Sequence, residues 1–136
     1  MTTAPDLYDD EDEDRFALPD EERYLIFLTQ AVRQRQVWTL KGQGGFIAFA
    51  DEEGRPCFPF WPGPSSAAAL ATGDWSDCHA EPLDLDVFMD RWLRGMAEDG
   101  RMVAVFPASD GSGVVIAPET VLADLREEMD LLDPGR

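Results

Sequence analysis

The chain has 136 residues, 44% of them hydrophobic, which suits one domain with its own core and excludes a disordered polymer. Acids outnumber bases 28 to 11, a formal net charge of −17, which disfavours direct binding to nucleic acids and anionic bilayers, since both require clustered Lys and Arg. No apolar run approaches the ~20 residues of a membrane span, and the N-terminus lacks the basic start and apolar stretch of a secretory signal, so a cytoplasmic setting is expected.

Residues 1–18 are expected to form an acidic, flexible tail, because "YDDEDED" places six acids in a row that repel one another and stay solvated. Residues 19–136 are expected to fold as a single α+β domain. A first helix should start at Pro19, with Asp20, Glu21 and Glu22 at the positive end of its dipole. Tyr24, Phe27, Leu28, Ala31 and Val32 then share one apolar face. Three short strands should follow as a meander: "QVWTLK" (36–41), "FIAFA" (46–50) and "RPCFPF" (55–60), joined by the turns "GQGG" and "DEEG". Pro56 and Pro59 argue that the third lies at a sheet edge or ends early.

"PSSAAALAT" (64–72) reads as a short helix capped by Ser65 or Ser66 and stopped by Gly73. Residues 74–85 read as a connector with a short strand around Pro82 and Leu83. The clearest helix follows, with Asp84 as its cap, a stripe of Leu85, Phe88, Met89, Trp92, Leu93 and Met96, and Gly100 as its end. "MVAVF" (102–106) and "GVVIA" (113–117) are strands around the hairpin loop "PASDGSG". A last helix from Pro118 should bury Val121, Leu122, Leu125, Met129 and Leu132. The sum is an α+β fold, an antiparallel-rich sheet of about five strands flanked by about four helices.

The densest chemistry is "FPFWPGPSS" (58–66). Its prolines make a rigid exit from a strand into a helix. Trp61, beside Phe60, either plugs the sheet or stands exposed as an anchor for a partner. Trp38 and Trp92 are expected in the core, whereas Trp61 and Trp75 bracket the short helix and could wall one groove. The helix N–H groups at Ser65 and Ser66 could hold an anion, although capping alone explains the serines.

Catalysis has little support. His79 is the only histidine, and it adjoins Cys78, but adjacent residues of an extended chain point to opposite faces. Cys57 and Cys78 are expected to be reduced, small hydrophobes, and with one His they fall short of a structural zinc set. Ser112 lacks the nucleophile-elbow pattern. Gly42, Gly44 and Gly45 join two strands without the helix a phosphate loop needs. Asp74, Asp77, Asp84 and Asp86 do not match a calcium loop. No catalytic residue, metal or cofactor is assigned.

The Val37-Trp38 strand, the Pro59-Phe60-Trp61-Pro62 turn, the Gly73-Asp74-Trp75 step, the helix with Phe88, Arg91-Trp92-Leu93 and Met96, and the Pro118-Glu119 helix start form a recognisable set. From about Phe27 to Leu125 the chain resembles a bacterial family known only as domain of unknown function 2750. More loosely, the order of elements is similar to SseB-like N-terminal domains, small modules in secretion-associated or regulatory contexts. The resemblance implies a bacterial cytoplasmic α+β domain and no particular activity.

The expected function is therefore a non-enzymatic module that binds a basic protein partner, as an immunity or regulatory factor would, through a groove at Phe60, Trp61, Ser65, Ser66 and Trp75. The alternative is a small-ligand (anion) binding protein or enzyme using the helix N-terminus at Ser65 and Ser66. Mimicry of DNA ranks last, because the helices mix acids with arginines. The sequence leaves the oligomeric state open.

Overall fold

Pro19 holds extended backbone, with φ −58 and ψ 154, and from Asp20 the chain coils to Gln34 as α1. Pro19 is thus the residue before the helix, one place earlier than expected. The computed structural model describes residues 15–132, so the acid block and the closing "DPGR" lie outside the described residues.

Two sheets follow from one long hairpin partner and one split strand. β1 (Gln36–Gly42) pairs antiparallel with β5 (His79–Asp84) over its first six residues, and its tip turns back to β2 (Gly45–Phe46). The expected second strand is broken: its last two residues form β3 (Phe49–Ala50), which pairs with β4 (Pro56–Phe60) in the other sheet. That sheet is completed by β6 (Met102–Val105) and β7 (Val114–Ile116), in the order β3-β4-β6-β7. β4 and β6 run parallel; the remaining pairings are antiparallel. The fold is α+β, with seven short strands in two sheets among the described residues where about five in one were expected.

The sheets are stitched at one point. Trp38 and Trp61 exchange both backbone hydrogen bonds, at 3.0 and 2.8 Å. This explains how Pro59 can occupy a central strand. Its carbonyl accepts the Thr39 hydroxyl at 2.8 Å, on the side where β3 has stopped and β1 has not yet begun to pair. A proline placed there forfeits no ladder bond. The expected edge position is corrected accordingly.

The helices are α1, the short α2 (Pro64–Ala69), a long helix over residues 85–99 (α3) and α4 (Pro118–Leu132). α3 is α-helical over Leu85–Val87, π-helical over Phe88–Trp92 and α-helical again over Leu93–Asp99. Gly100, at φ 74, closes it in the left-handed region that favours glycine. α1 packs on β1, β6 and β7, while α4 packs on α1, β6 and the last part of α3. Between them lies a core of Phe27, Val37, Leu40, Phe60, Phe88, Leu93, Val103, Val105 and Leu125 with their neighbours. Trp92 meets Phe46 of one sheet and Phe58 and Phe60 of the other edge-on, at 4.7, 5.8 and 5.7 Å. One indole therefore clamps both sheets. Leu132, expected on the buried face of α4, is half exposed, and Leu131 more so.

Strand alternation gives the second sheet two different faces. Val103 and Val105 of β6 belong to the core cluster, while Ala104 between them is buried outside it; Cys57 of β4 behaves likewise. That second face is the floor of the cleft described next.

Candidate functional site

The stretch at 58–66 is architecture. Trp61 has no exposed surface, and its indole N–H donates to the Pro107 carbonyl at 3.0 Å. It plugs the junction of the sheets and cannot wall an open groove, which corrects the expected Trp61–Trp75 arrangement. Phe60 is equally buried and stacks edge-on with Phe88 at 4.7 Å. Gly63, not a serine, caps α2, with Pro64 in the first turn. Ser66 is 1% exposed, and its hydroxyl donates back to the Gly63 carbonyl at 3.1 Å, out of reach of a ligand. Ser65 is partly exposed, beside a helix of six residues. Trp75 is half-buried in a 3₁₀ turn (Gly73–Trp75), its ring tilted against Phe49 at 6.1 Å.

Nor do the thiols and the imidazole assemble into a nucleophile. His79 is exposed and pairs with Glu81 at 3.0 Å. Burial first, and the Asp77 carboxylate second, push the Cys78 thiol up, opposite to activation. Burial likewise raises Cys57, which lies inside β4. Both cysteines are free thiols. Among the described residues no group of three or more His, Cys, Asp or Glu could hold a metal ion, and no helix is long and apolar enough to cross a membrane.

The residues that do converge come from two loops. A cleft of about 490 Å³ opens over the second face of the β3-β4-β6-β7 sheet. Ala104, Val115, Phe49 and Pro107 line it with apolar surface. Asp51, Glu52, Glu53 and Arg55 of the β3–β4 turn stand on one rim, and Asp110, Gly111 and Gly113 of the β6–β7 loop on the other. Four carboxylates thus face one guanidinium.

That guanidinium is already engaged. Arg55 Nε donates to Asp51 at 2.8 Å, and Glu53 lies at 3.5 Å. Asp51 also accepts the backbone N–H groups of Glu53 and Arg55, at 2.9 and 2.8 Å, which closes the turn. Desolvation alone would raise the Asp51 carboxyl, but these bonds, led by the Arg55 N–H and guanidinium, hold it below the usual range. Asp110 is held low by the Ser112 hydroxyl and then by the Ser112 N–H, which it accepts at 2.9 Å. Asp51 on one rim and Asp110 on the other therefore keep their charge at neutral pH.

One buried cation sets the second rim, and sequence reasoning missed it. Arg23, 2% exposed, uses all five N–H donors. Nε donates to Phe106 O at 3.1 Å, Nη1 to Phe16 O at 3.0 Å and Leu18 O at 2.6 Å, and Nη2 to Asp20 at 2.9 Å and the Ser112 hydroxyl at 3.0 Å. It holds the entry segment, α1 and the β6–β7 loop together. Phe106 carries a positive φ of 53, and its N–H donates to Phe60 O at 2.7 Å, so the bend into the loop is tied on both sides. In the sequence Arg23 sits in "DEERY", where it reads as one more solvated charge. The one available signal was its place three residues after Asp20 and next to the apolar stripe.

Residues 24–125 match the family described as protein of unknown function, DUF2750. No curated protein matches the chain.

Proposed function

We propose that this chain, which belongs to the family of proteins of unknown function DUF2750, is a non-enzymatic module that receives a basic segment of a partner protein in the acidic cleft. The observation that carries the reading is the cleft's composition: four carboxylates on two rims, an apolar floor with Phe49, and a single arginine neutralised within its own turn. A Lys or Arg side chain would bring its charge to the rims and lay its methylene stem on the floor. The field of a chain at −17 adds to the encounter rate. A bacterial cytoplasmic setting and an immunity or regulatory role suit this chemistry, as does the looser likeness to SseB-like N-terminal domains. The occupant enters over the sheet, in a cleft that borders the region of Trp61 through Pro107 but is lined by neither Trp61 nor Trp75.

An oligo-arginine peptide tests the cleft. The triple change Glu52→Gln, Glu53→Gln, Asp110→Asn is compared with the equal charge removal Glu119→Gln, Glu127→Gln, Asp130→Asn on α4. The cleft variant should weaken binding at least tenfold and the α4 variant less than threefold. Equal losses would mean that net charge alone attracts the peptide, and the site would be wrong.

A further inference from the structure

The two rims of the acidic cleft stand at opposite ends of the same strands. β4 and β6 are parallel, with Cys57 beside Met102 and Phe60 beside Val105. The β3–β4 turn feeds the start of β4 and so lies at the Met102 end of the sheet, whereas the β6–β7 loop leaves from the Val105 end. From Met102 to Phe106 is four extended steps, roughly 13 Å at about 3.3 Å each. Charge is divided across that gap. One rim sets Asp51, Glu52 and Glu53 against Arg55 alone, a surplus of two carboxylates, and the other holds Asp110. Between them Ala104 and Val115, partners across β6 and β7, give an apolar floor, with Val115 still 37% exposed.

We infer that the occupant is an extended segment with two basic residues four positions apart and an apolar residue midway between them. The inference rests on the reading of the cleft as a site for a basic partner segment, and it adds the spacing. In an extended chain residues i, i+2 and i+4 point to one face, and i to i+4 covers the same ~13 Å that separates the rims. One basic side chain then meets Glu52 and Glu53, the other meets Asp110, and the middle one rests on Ala104 and Val115. Shorter spacings leave a rim unanswered. Adjacent bases point to opposite faces, and bases at i and i+2 stand only ~7 Å apart. A helix fails on bulk. To carry charges ~13 Å apart it needs about nine residues, a cylinder of roughly 1,000 Å³. The cleft holds about 490 Å³, room for the side chains of an extended segment and not for a coiled backbone.

Amide-shift titrations of the labelled full-length chain measure the spacing. Three heptapeptides of identical composition, two arginines and one leucine among serines, carry the arginines adjacent, two apart, or four apart around the leucine. The four-apart peptide should bind about fivefold tighter than either of the others, the upper range for one added exposed ion pair. Asp110→Asn alone, and the pair Glu52→Gln, Glu53→Gln alone, should each erase that preference, because either change strips one rim of its surplus charge. Equal affinity of the three peptides, lowered together by the triple change Glu52→Gln, Glu53→Gln, Asp110→Asn, would overturn the spacing and leave the acidic cleft standing. Affinities untouched by the triple change would overturn both. Decamethylene diamine binding as tightly as the four-apart peptide would also overturn the spacing, since the cleft would then take a free dication and read no chain.

Discussion

Replacing Arg23 by Met keeps most of the side-chain stem and removes every donor, so it isolates what the five bonds contribute. Asp20, with its side chain 45% exposed, and the partly exposed Ser112 can turn to water and cost little. The carbonyls of Phe16, Leu18 and Phe106 cannot leave their backbone, and that of Phe106 belongs to a residue with no exposed surface. At about 1–3 kcal/mol for each buried acceptor left unpaired, with the two part-buried ones at the low end, the loss is roughly 3–5 kcal/mol. Swapping a whole buried ionic group for apolar packing can be neutral, but here three polar partners stay behind. Domains of this kind hold on the order of 5–15 kcal/mol in all, so the effect should be plain. With a urea slope of roughly 1.5–2 kcal/mol per molar, the unfolding midpoint should fall by about 2 M at unchanged slope. Arg23→Lys should recover little, since an ammonium cannot reproduce the fork. Arg91→Met, at an exposed position of α3, should move the midpoint by less than ~0.3 M. A shift for Arg23→Met no larger than that of Arg91→Met would show that the network stabilises nothing.

Two further outcomes rest on single positions. Gly113 has φ 152, and an added Cβ would sit 3.0 Å from the Pro107 Cα, so Gly113→Ala should cost on the order of 1–2 kcal/mol. Gly95, inside α3 with nothing within 4 Å of an added Cβ, should give the opposite sign, a gain of ~0.5–1 kcal/mol, by thermal unfolding of both variants. Burial, then the hydrogen bond to Asp124 at 2.5 Å and its charge, raise the Tyr24 phenol above its ordinary value near 10. The folded chain thus keeps a proton that the unfolded chain releases. This contribution is complete below pH ~10 and is lost as pH climbs toward the folded value. Stability of the wild type should fall more steeply above pH 10 than that of Tyr24→Phe in urea titrations.

Local signals carried part of this architecture and long-range ones the rest. The stripes of α1, α3 and α4 were legible because burial on one side repeats with the turn of the helix, and Gly100 marked an end that only its backbone freedom permits. β5 was hardly legible: "HAEPLD" has poor strand chemistry and becomes a strand because β1 offers it six paired residues. The two halves of "FIAFA" pair with neighbours at most eight residues away, but on opposite sides, which an unbroken run of β-formers does not announce. The parallel pairing of β4 with β6 joins residues 45 apart, such as Cys57 and Met102, which no window of sequence contains. The site shows the same division. The acids of "DEEG" and "PASDGSG" were visible as turn residues, but their meeting across a cleft is a product of β4 and β6 lying side by side. Trp61 misled for a related reason: an indole flanked by prolines suggests a surface knob until Trp38 and Pro107 are seen to receive it.

The π-helical stretch Phe88–Trp92 amounts to one surplus amino acid that the coil has swallowed without a loop. Deleting a single position there would restore ordinary winding, and because five π-helical residues turn about as far as four α-helical ones, everything downstream would keep its orientation about the axis. Leu93 and Met96, now almost fully enclosed, would stay on the buried side, and Arg94 would stay in solvent. The bulge is therefore a phase correction: it takes up one residue too many so that the second half of the rod keeps the buried side of the first.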